Sequence, residues 1–302
     1  MPLNLLVAVC LACWSTWGIL DKKALDSATH LDVLLFQHII YLIEIPLSFA
    51  IILYLYHACA LVPQAWLWTG MASTVSSLAT LFYLLALSKA EASYVLGITA
   101  SYPIFVQFFA CLWLGESLVG ERLLGSILVV GGVTLIGSSK QAAHPTMIGK
   151  SDAEHRRRNF SILLICALAT FCWGVTGLLD KKAVMLDLPI KIYFARCLWD
   201  ALICLIMYLV YRAIKHKVDY GNKRAWKFSF LSALCLSLGT LCYLFAMAVS
   251  SASYVIVITG CYPLFMYLFA VLFLKERLSK LRSAGMLLVV IGGLMVQATQ
   301  SQ

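Results

Sequence analysis

Charge is what this 302-residue chain has little of: Lys, Arg, Asp and Glu together make up only 12%, against roughly 25% in a soluble globular chain. With 62% hydrophobic residues, too little polar surface remains to face water. Catalytic signatures are missing as well. The chain contains no GxxxxGK followed by Ser or Thr to cradle phosphate, no HExxH zinc helix and no GxSxG nucleophile turn. Nothing therefore points to catalysis, a cofactor or a metal. No basic residue precedes the first apolar run, which speaks against a cleaved signal peptide there.

What is present is a series of about ten apolar segments, near 3–20, 33–56, 66–88, 92–114, 122–139, 160–179, 190–211, 226–249, 252–274 and 281–298. Each approaches the ~20 residues that a helix needs to cross a ~30 Å hydrocarbon core. Barrel strands would be shorter and would alternate, and in lipid a lone segment must pair its own backbone groups. The spans are therefore helices, and the fold class expected is an all-α polytopic membrane protein.

The eleven cysteines sit almost wholly inside these spans, where a thiol serves as a small packing group. The Cys10–Cys13 spacing is read in the same way. A net charge of +9 would suit nucleic acid, but the charges cluster at span ends, where they meet water and lipid head groups. A sequon at Asn159-Phe160-Ser161 abuts a span on the side expected to be cytoplasmic and is set aside.

The chain repeats itself. "CWSTWGILDKKAL" from Cys13 matches "CWGVTGLLDKKAV" from Cys172, and the stretch from Thr80 to Leu118 matches Thr240 to Leu278 at nearly the same shift. "GSILVVGG" from Gly125 then matches the segment around Gly285. Two copies of about five spans, 1–139 and 160–302, are joined by a hydrophilic linker at 140–159. Five is odd, so the second copy enters the membrane from the opposite side, and the repeats are inverted.

Charge supports inversion independently. Loops after odd-numbered spans hold 18 lysines and arginines, whereas those after even spans hold four, Arg122, Lys181, Lys182 and Lys191, with Arg196 inside a span. By the positive-inside rule the basic side, linker included, faces the cytoplasm. The membrane expected is the plasma (inner) membrane.

"ASYVLGITASYPIFVQFFACLWLGESL" with its downstream "GSILVVGGVTLIG" resembles the EamA-type drug/metabolite transporters: a proline-centred helix, a Leu-Gly-Glu turn, then a glycine-bearing helix. The second copy follows the same plan with "YPLF" and "LKERL". Trp173-Gly174 matches the family's Trp-Gly, and Arg196 resembles its second-helix arginine. The first copy departs, with Trp14-Ser15 for Trp-Gly and Gln37 or His38 where the arginine would stand. The resemblance implies ten helices in two inverted five-helix units. It also implies a cavity lined by spans one, three, four, six, eight and nine, and alternating access.

On those spans lie aromatic residues paired between the copies: Trp14 and Trp173, Tyr83 and Tyr243, Tyr94 and Tyr254. Tyr102 and Tyr262 adjoin the prolines of spans four and nine. Such rings suit a flat or cationic organic solute, or alternatively belt the membrane interface. Pro103 and Pro263 each remove a backbone hydrogen bond and make either a fixed kink or a hinge. Lys23 and Lys182, with Lys22 and Lys181, are either snorkelling anchors or contacts for a substrate anion. Ionisable groups within spans mark function by default. Arg196 and Asp200, four apart, pair on one helix face and read as structural. Glu44, with no evident partner, is the candidate for proton coupling.

The reading is a carrier of a small organic metabolite, amino-acid-like or nucleoside-like. The alternatives are a proton-coupled exporter of lipophilic cations and a membrane scaffold that moves nothing. The partners expected are the solute, the lipid bilayer and, for a coupled carrier, protons.

Overall fold

The computed structural model describes residues 2–57, 59–90, 92–99, 101–117, 119–137, 152–262, 264–265, 268–269, 272 and 280–299. Helices joined by short turns make up nearly all of them, and no strand occurs among the described residues. The first half comprises α1 (Leu3–Leu25), α2 (His30–His38), α3 (Tyr41–Tyr56), α4 (Pro63–Leu87), α5 (Ala92–Thr99), α6 (Pro103–Phe109), a π-helical turn at Ala110–Leu114 and α7 (Gly120–Gly137). The second comprises α8 (Asp152–Val184), α9 (Pro189–Ala213), α10 (Lys223–Val249), α11 (Ala252–Thr259) and α12 (Lys280–Ala298). Of the hydrophilic stretch 140–159, the residues from Asp152 onward form the first turns of α8.

Six helical stretches are long and apolar enough to span a bilayer: Leu3–Leu25, His30–Tyr56, Pro63–Leu87, Asn159–Val184, Pro189–Ala213 and Lys223–Val249. Pro103–Leu114 and Ser283–Ala298 are shorter apolar helices. The second span breaks at Ile39–Ile40 between α2 and α3. The fourth breaks ahead of Pro103, which opens α6 at its first turn, where a missing N–H costs nothing. Pro263 lies outside the described residues.

Polarity is arranged for lipid. α3 and α9 turn Leu42, Leu47, Leu55, Leu205, Ile206 and Leu209 outward, all more than half exposed, while Thr69, Ser73, Ser229 and Ser232 are buried between helices. Small polar residues inside and branched apolar ones outside are what helices need where the surroundings are hydrocarbon.

The halves interlock reciprocally: α1 packs along α10, and its repeat counterpart α8 packs along α4. Loop contacts establish the inversion. The loop after α1 and the first turn of α2 meet the loop before α10, through Asn222 Nδ2 to Ser27 O at 2.6 Å and His216 Nε2 to Asp32 Oδ1 at 2.8 Å. The loop after α3 meets the loop after α8 and the first turn of α9, through Val62 N to Asp187 Oδ2 at 3.1 Å and Lys191 Nζ to Ala60 O at 2.9 Å. Equivalent loops thus lie on opposite sides. The counterparts α7 and α12 run antiparallel and touch, Gly125 against Gly292 and Gly132 against Gly285.

Candidate functional site

A cavity lies at the seam between the halves, with about 110 Å³ open to the centres of water molecules. That exceeds severalfold the ~10–15 Å³ a single water needs. Trp14, Tyr102, Trp173, Tyr243 and Tyr262 form its aromatic wall, and Asp180, Arg196 and Asp200 its charged wall. Besides the six spans implied by the family resemblance, α2 and the span-two turn contribute Gln37, His38 and Ile40, α3 contributes Tyr41, and α9 contributes Tyr193, Arg196, Cys197 and Asp200.

The aromatic wall follows the repeat. Trp14 packs against Tyr243 at 5.3 Å and Tyr262 at 6.2 Å between ring centroids. Its counterpart Trp173 packs against Tyr83 at 5.4 Å, the counterpart of Tyr243. Each tryptophan therefore sits on the other half's tyrosine. Trp17, from α1, closes the second cluster at 4.8 Å from Tyr83 and 5.9 Å from Trp173. The indole N–H groups of Trp14 and Trp17 are buried without an acceptor among the described residues, although both rings line the cavity. A buried donor without a partner is costly, and a solute or water in the cavity can supply the acceptor.

The two Asp-Lys-Lys segments are structural at their middle residue. Lys22 Nζ donates to the carbonyls of Leu87 and Ala90 at 2.9 and 3.0 Å, and Lys181 Nζ to those of Met247 and Ser250, both at 2.7 Å. Each lysine thereby caps the C-terminal end of the third span of its own half, α4 or α10, where unpaired carbonyls carry the negative end of the helix dipole. Lys181→Met is expected to lower the stability of the purified protein by about 1.5–3 kcal/mol, the worth of hydrogen bonds to a charged donor, as read by thermal unfolding in detergent. The third residues lie off the cavity: Lys23 Nζ is 5.8 Å from the Phe228 ring centroid and Lys182 Nζ 6.0 Å from that of Trp113.

The first residues point inward. Asp180 Oδ1 accepts from Arg196 Nη1 at 2.6 Å, while Asp200 Oδ2 is 4.0 Å from Arg196 Nε. The dominant partner of Arg196 is therefore Asp180 on α8 and not the i+4 aspartate of its own helix. Asp21, the counterpart of Asp180, accepts from Gln37, the counterpart of Arg196, at 2.6 Å. Ser232 Oγ donates to the same Asp21 oxygen.

The remaining candidates are dispersed. Glu44 does not line the cavity; its Oε2 accepts from the Tyr193 hydroxyl at 2.9 Å, with Cys197 Sγ at 3.7 Å. Tyr254 donates to Gln297 Oε1 at 2.7 Å, with the Arg122 guanidinium 6.0 Å from its ring centroid. Tyr94 is half-buried on α5 and Tyr83 lies behind the aromatic wall. Gln107 joins α6 to α7 through Ser126 Oγ at 2.5 Å. Ser15, which stands where the family has glycine, donates to Tyr262 O at 3.0 Å and so ties α1 to the ninth span. Trp17, Tyr41, Thr176, Tyr193 and Ser237 line the cavity without having been singled out in the sequence. Asp21 and Gln37 are equivalent to Asp180 and Arg196 at the 159-residue shift, but that either aspartate pairs with the second span was not read from the sequence.

The family model described as "EamA-like transporter family" matches residues 1–138 and 160–297. The chain belongs to the EamA-like transporter family. A curated relative from Archaeoglobus fulgidus, described as an uncharacterized transporter, is 26% identical over 217 residues, which is 72% of this chain and 70% of the relative. A solved crystal structure superposes with a TM-score of 0.72 at 15% identity, covering 99% of this chain and 97% of that one. At that identity the likeness extends to the fold alone. As an EamA-like protein the chain is a membrane transporter, and the matched segments fall on its two halves.

Proposed function

We propose that this transporter carries a small organic metabolite, amino-acid-like or nucleoside-like, by alternating access between its inverted halves. The observation that supports this reading is the cavity at their seam, whose lining combines aromatic rings with the Asp180–Arg196–Asp200 cluster. A solute with a flat or cationic part and a polar part finds a partner for each. Exchange of conformation between two related halves opens such a cavity to either side in turn. In this reading the halves are 1–139 and 160–302, the basic linker 140–159 faces the cytoplasm, and the membrane is the plasma membrane. An exporter of lipophilic cations is the second reading; Glu44, the carboxyl it would use, stands one layer behind the lining, where it accepts from the hydroxyl of the lining residue Tyr193.

The test is flux. Purified protein in liposomes is expected to exchange radiolabelled members of an amino-acid panel or a nucleoside panel across the bilayer. Protein-free and wild-type liposomes giving equal tracer distributions for both panels would overturn the carrier reading in favour of a scaffold. Trp173→Ala is expected to weaken affinity for the transported solute. Loss of one cation–π or stacking contact of about 0.5–2 kcal/mol corresponds to roughly 2- to 30-fold in half-saturation.

A further inference from the structure

The repeat places two aspartates at equivalent positions and treats them differently. Asp180, at the end of α8, is neutralised by Arg196 at 2.6 Å. Asp21, at the end of α1, meets Gln37 in the same place, and an amide carries no charge to offset a carboxylate. Asp21 is fully buried, and it takes part in none of the ion pairs formed among the described residues. The groups facing it are Gln37 from α2, Ser232 and Cys235 from α10, and Tyr83 from α4, all uncharged donors or weakly polar. The adjacent Lys22 reaches the carbonyls of Leu87 and Ala90, and Lys23 lies over Phe228.

An uncompensated carboxylate in such surroundings costs several kcal/mol even after relaxation. The hydrogen bonds reveal what resolves the cost. Both donors, Gln37 Nε2 and Ser232 Oγ, converge on Asp21 Oδ1. Asp21 Oδ2 is buried without a partner among the described residues, and so is Gln37 Oε1. Two orphaned acceptors thus sit on two side chains that already share a bond, and the missing element is one donor. A proton on Oδ2 removes the charge and supplies that donor.

We propose that the Asp21 carboxyl is a proton-binding site, reached from water in the cavity whose wall Gln37 forms, and that its loading and release are coupled to the alternation of the two halves. The proton adds to Asp21 Oδ2 from cavity water and returns to water when the halves exchange conformation; no other bond forms or breaks. Because Asp180 keeps its guanidinium, of the two equivalent aspartates only the first half's changes charge. Proton binding stands on the geometry alone, while the coupling rests on the carrier reading above.

The two parts are tested separately. Infrared difference spectra between alkaline and acidic pH, recorded on the full-length protein in liposomes without solute, are expected to show a protonated-carboxyl band. That band disappears in Asp21→Asn and in Gln37→Arg, which installs the second half's counter-ion, and it persists in Asp180→Asn. Asparagine is isosteric with the protonated acid, so Asp21→Asn retains the fold. A wild-type spectrum with no band sensitive to Asp21→Asn, or a band that survives Gln37→Arg, overturns the site whether or not any solute is carried. For coupling, uptake of the amino-acid and nucleoside panels is compared with and without an imposed pH gradient. The wild type is expected to respond and Asp21→Asn to show equal uptake in both conditions, whatever its absolute rate. A gradient response retained in Asp21→Asn, or uptake driven by sodium and not by protons, overturns the coupling. Absence of uptake in the wild type refutes the carrier reading and leaves the infrared result to decide the site.

Discussion

Arg196→Met is expected to destabilise the purified protein by about 3–5 kcal/mol, because removing one member of a buried charge cluster leaves the others uncompensated. Asp180 and Asp200 are 1% and 4% exposed, and both lie within reach of the same guanidinium. Methionine matches the volume and not the charge, so two carboxylates would face each other across an apolar gap. Thermal unfolding in detergent measures the effect, and a variant as stable as the wild type would contradict it. The companion experiment separates charge from packing. Combining Arg196→Met with Asp180→Asn and Asp200→Asn removes all three charges and is expected to recover most of the lost stability without recovering solute binding. Arg196→Lys is not a conservative change here. The guanidinium uses Nη1 toward Asp180 and Nε toward Asp200, and a single ammonium cannot serve both directions.

This cluster also marks where sequence reading stopped. The spacing of Arg196 and Asp200 predicts a helix-face pair, and the pair exists at 4.0 Å, but the shorter contact, at 2.6 Å, comes from Asp180 on the preceding helix. A local rule sees neighbours one turn apart and not those brought together by a helical hairpin. The lysines teach the same lesson. Anchoring in lipid and contact with a substrate were the two expectations, yet Lys22 and Lys181 turn toward helix-end carbonyls inside their own halves, a role visible only once α4 and α10 are packed. The duplication was legible because Trp14, Asp21, Tyr83 and Gly125 each recur at a shift of 159 or 160. Inversion followed from parity and charge, and the loop contacts between Ser27 and Asn222 and between Val62 and Asp187 bear it out. The place of the second spans of the two copies in the cavity wall was not legible, since most of their lining residues differ in kind between copies: Tyr41 corresponds to Asp200 and His38 to Cys197.

Two adjacent glycines of α7 are expected to respond in opposite directions to the same substitution. A Cβ added at Gly132 would lie 2.5 Å from Gly285 O and 2.8 Å from Val289 N, both backbone atoms of α12, whereas one added at Gly131 meets nothing within 4 Å. Backbone cannot rotate aside, so Gly132→Ala has to push α7 and α12 apart, and overpacking of this kind costs about 1–3 kcal/mol. At Gly131 only the gain in helix propensity remains, about 1 kcal/mol in favour of alanine. Thermal unfolding of the two variants side by side compares them with composition held constant. The symmetric position sharpens the test, because Gly292 brings a Cβ to 2.5 Å from Gly125 O, and Gly292→Ala should match Gly132→Ala in sign and size. Since neither helix contributes a residue to the cavity lining, a loss of stability at these sites would come from the seam itself. Equal effects at Gly131 and Gly132 would mean that α7 and α12 do not cross at this distance, and the antiparallel contact of repeat counterparts would lose its closest point.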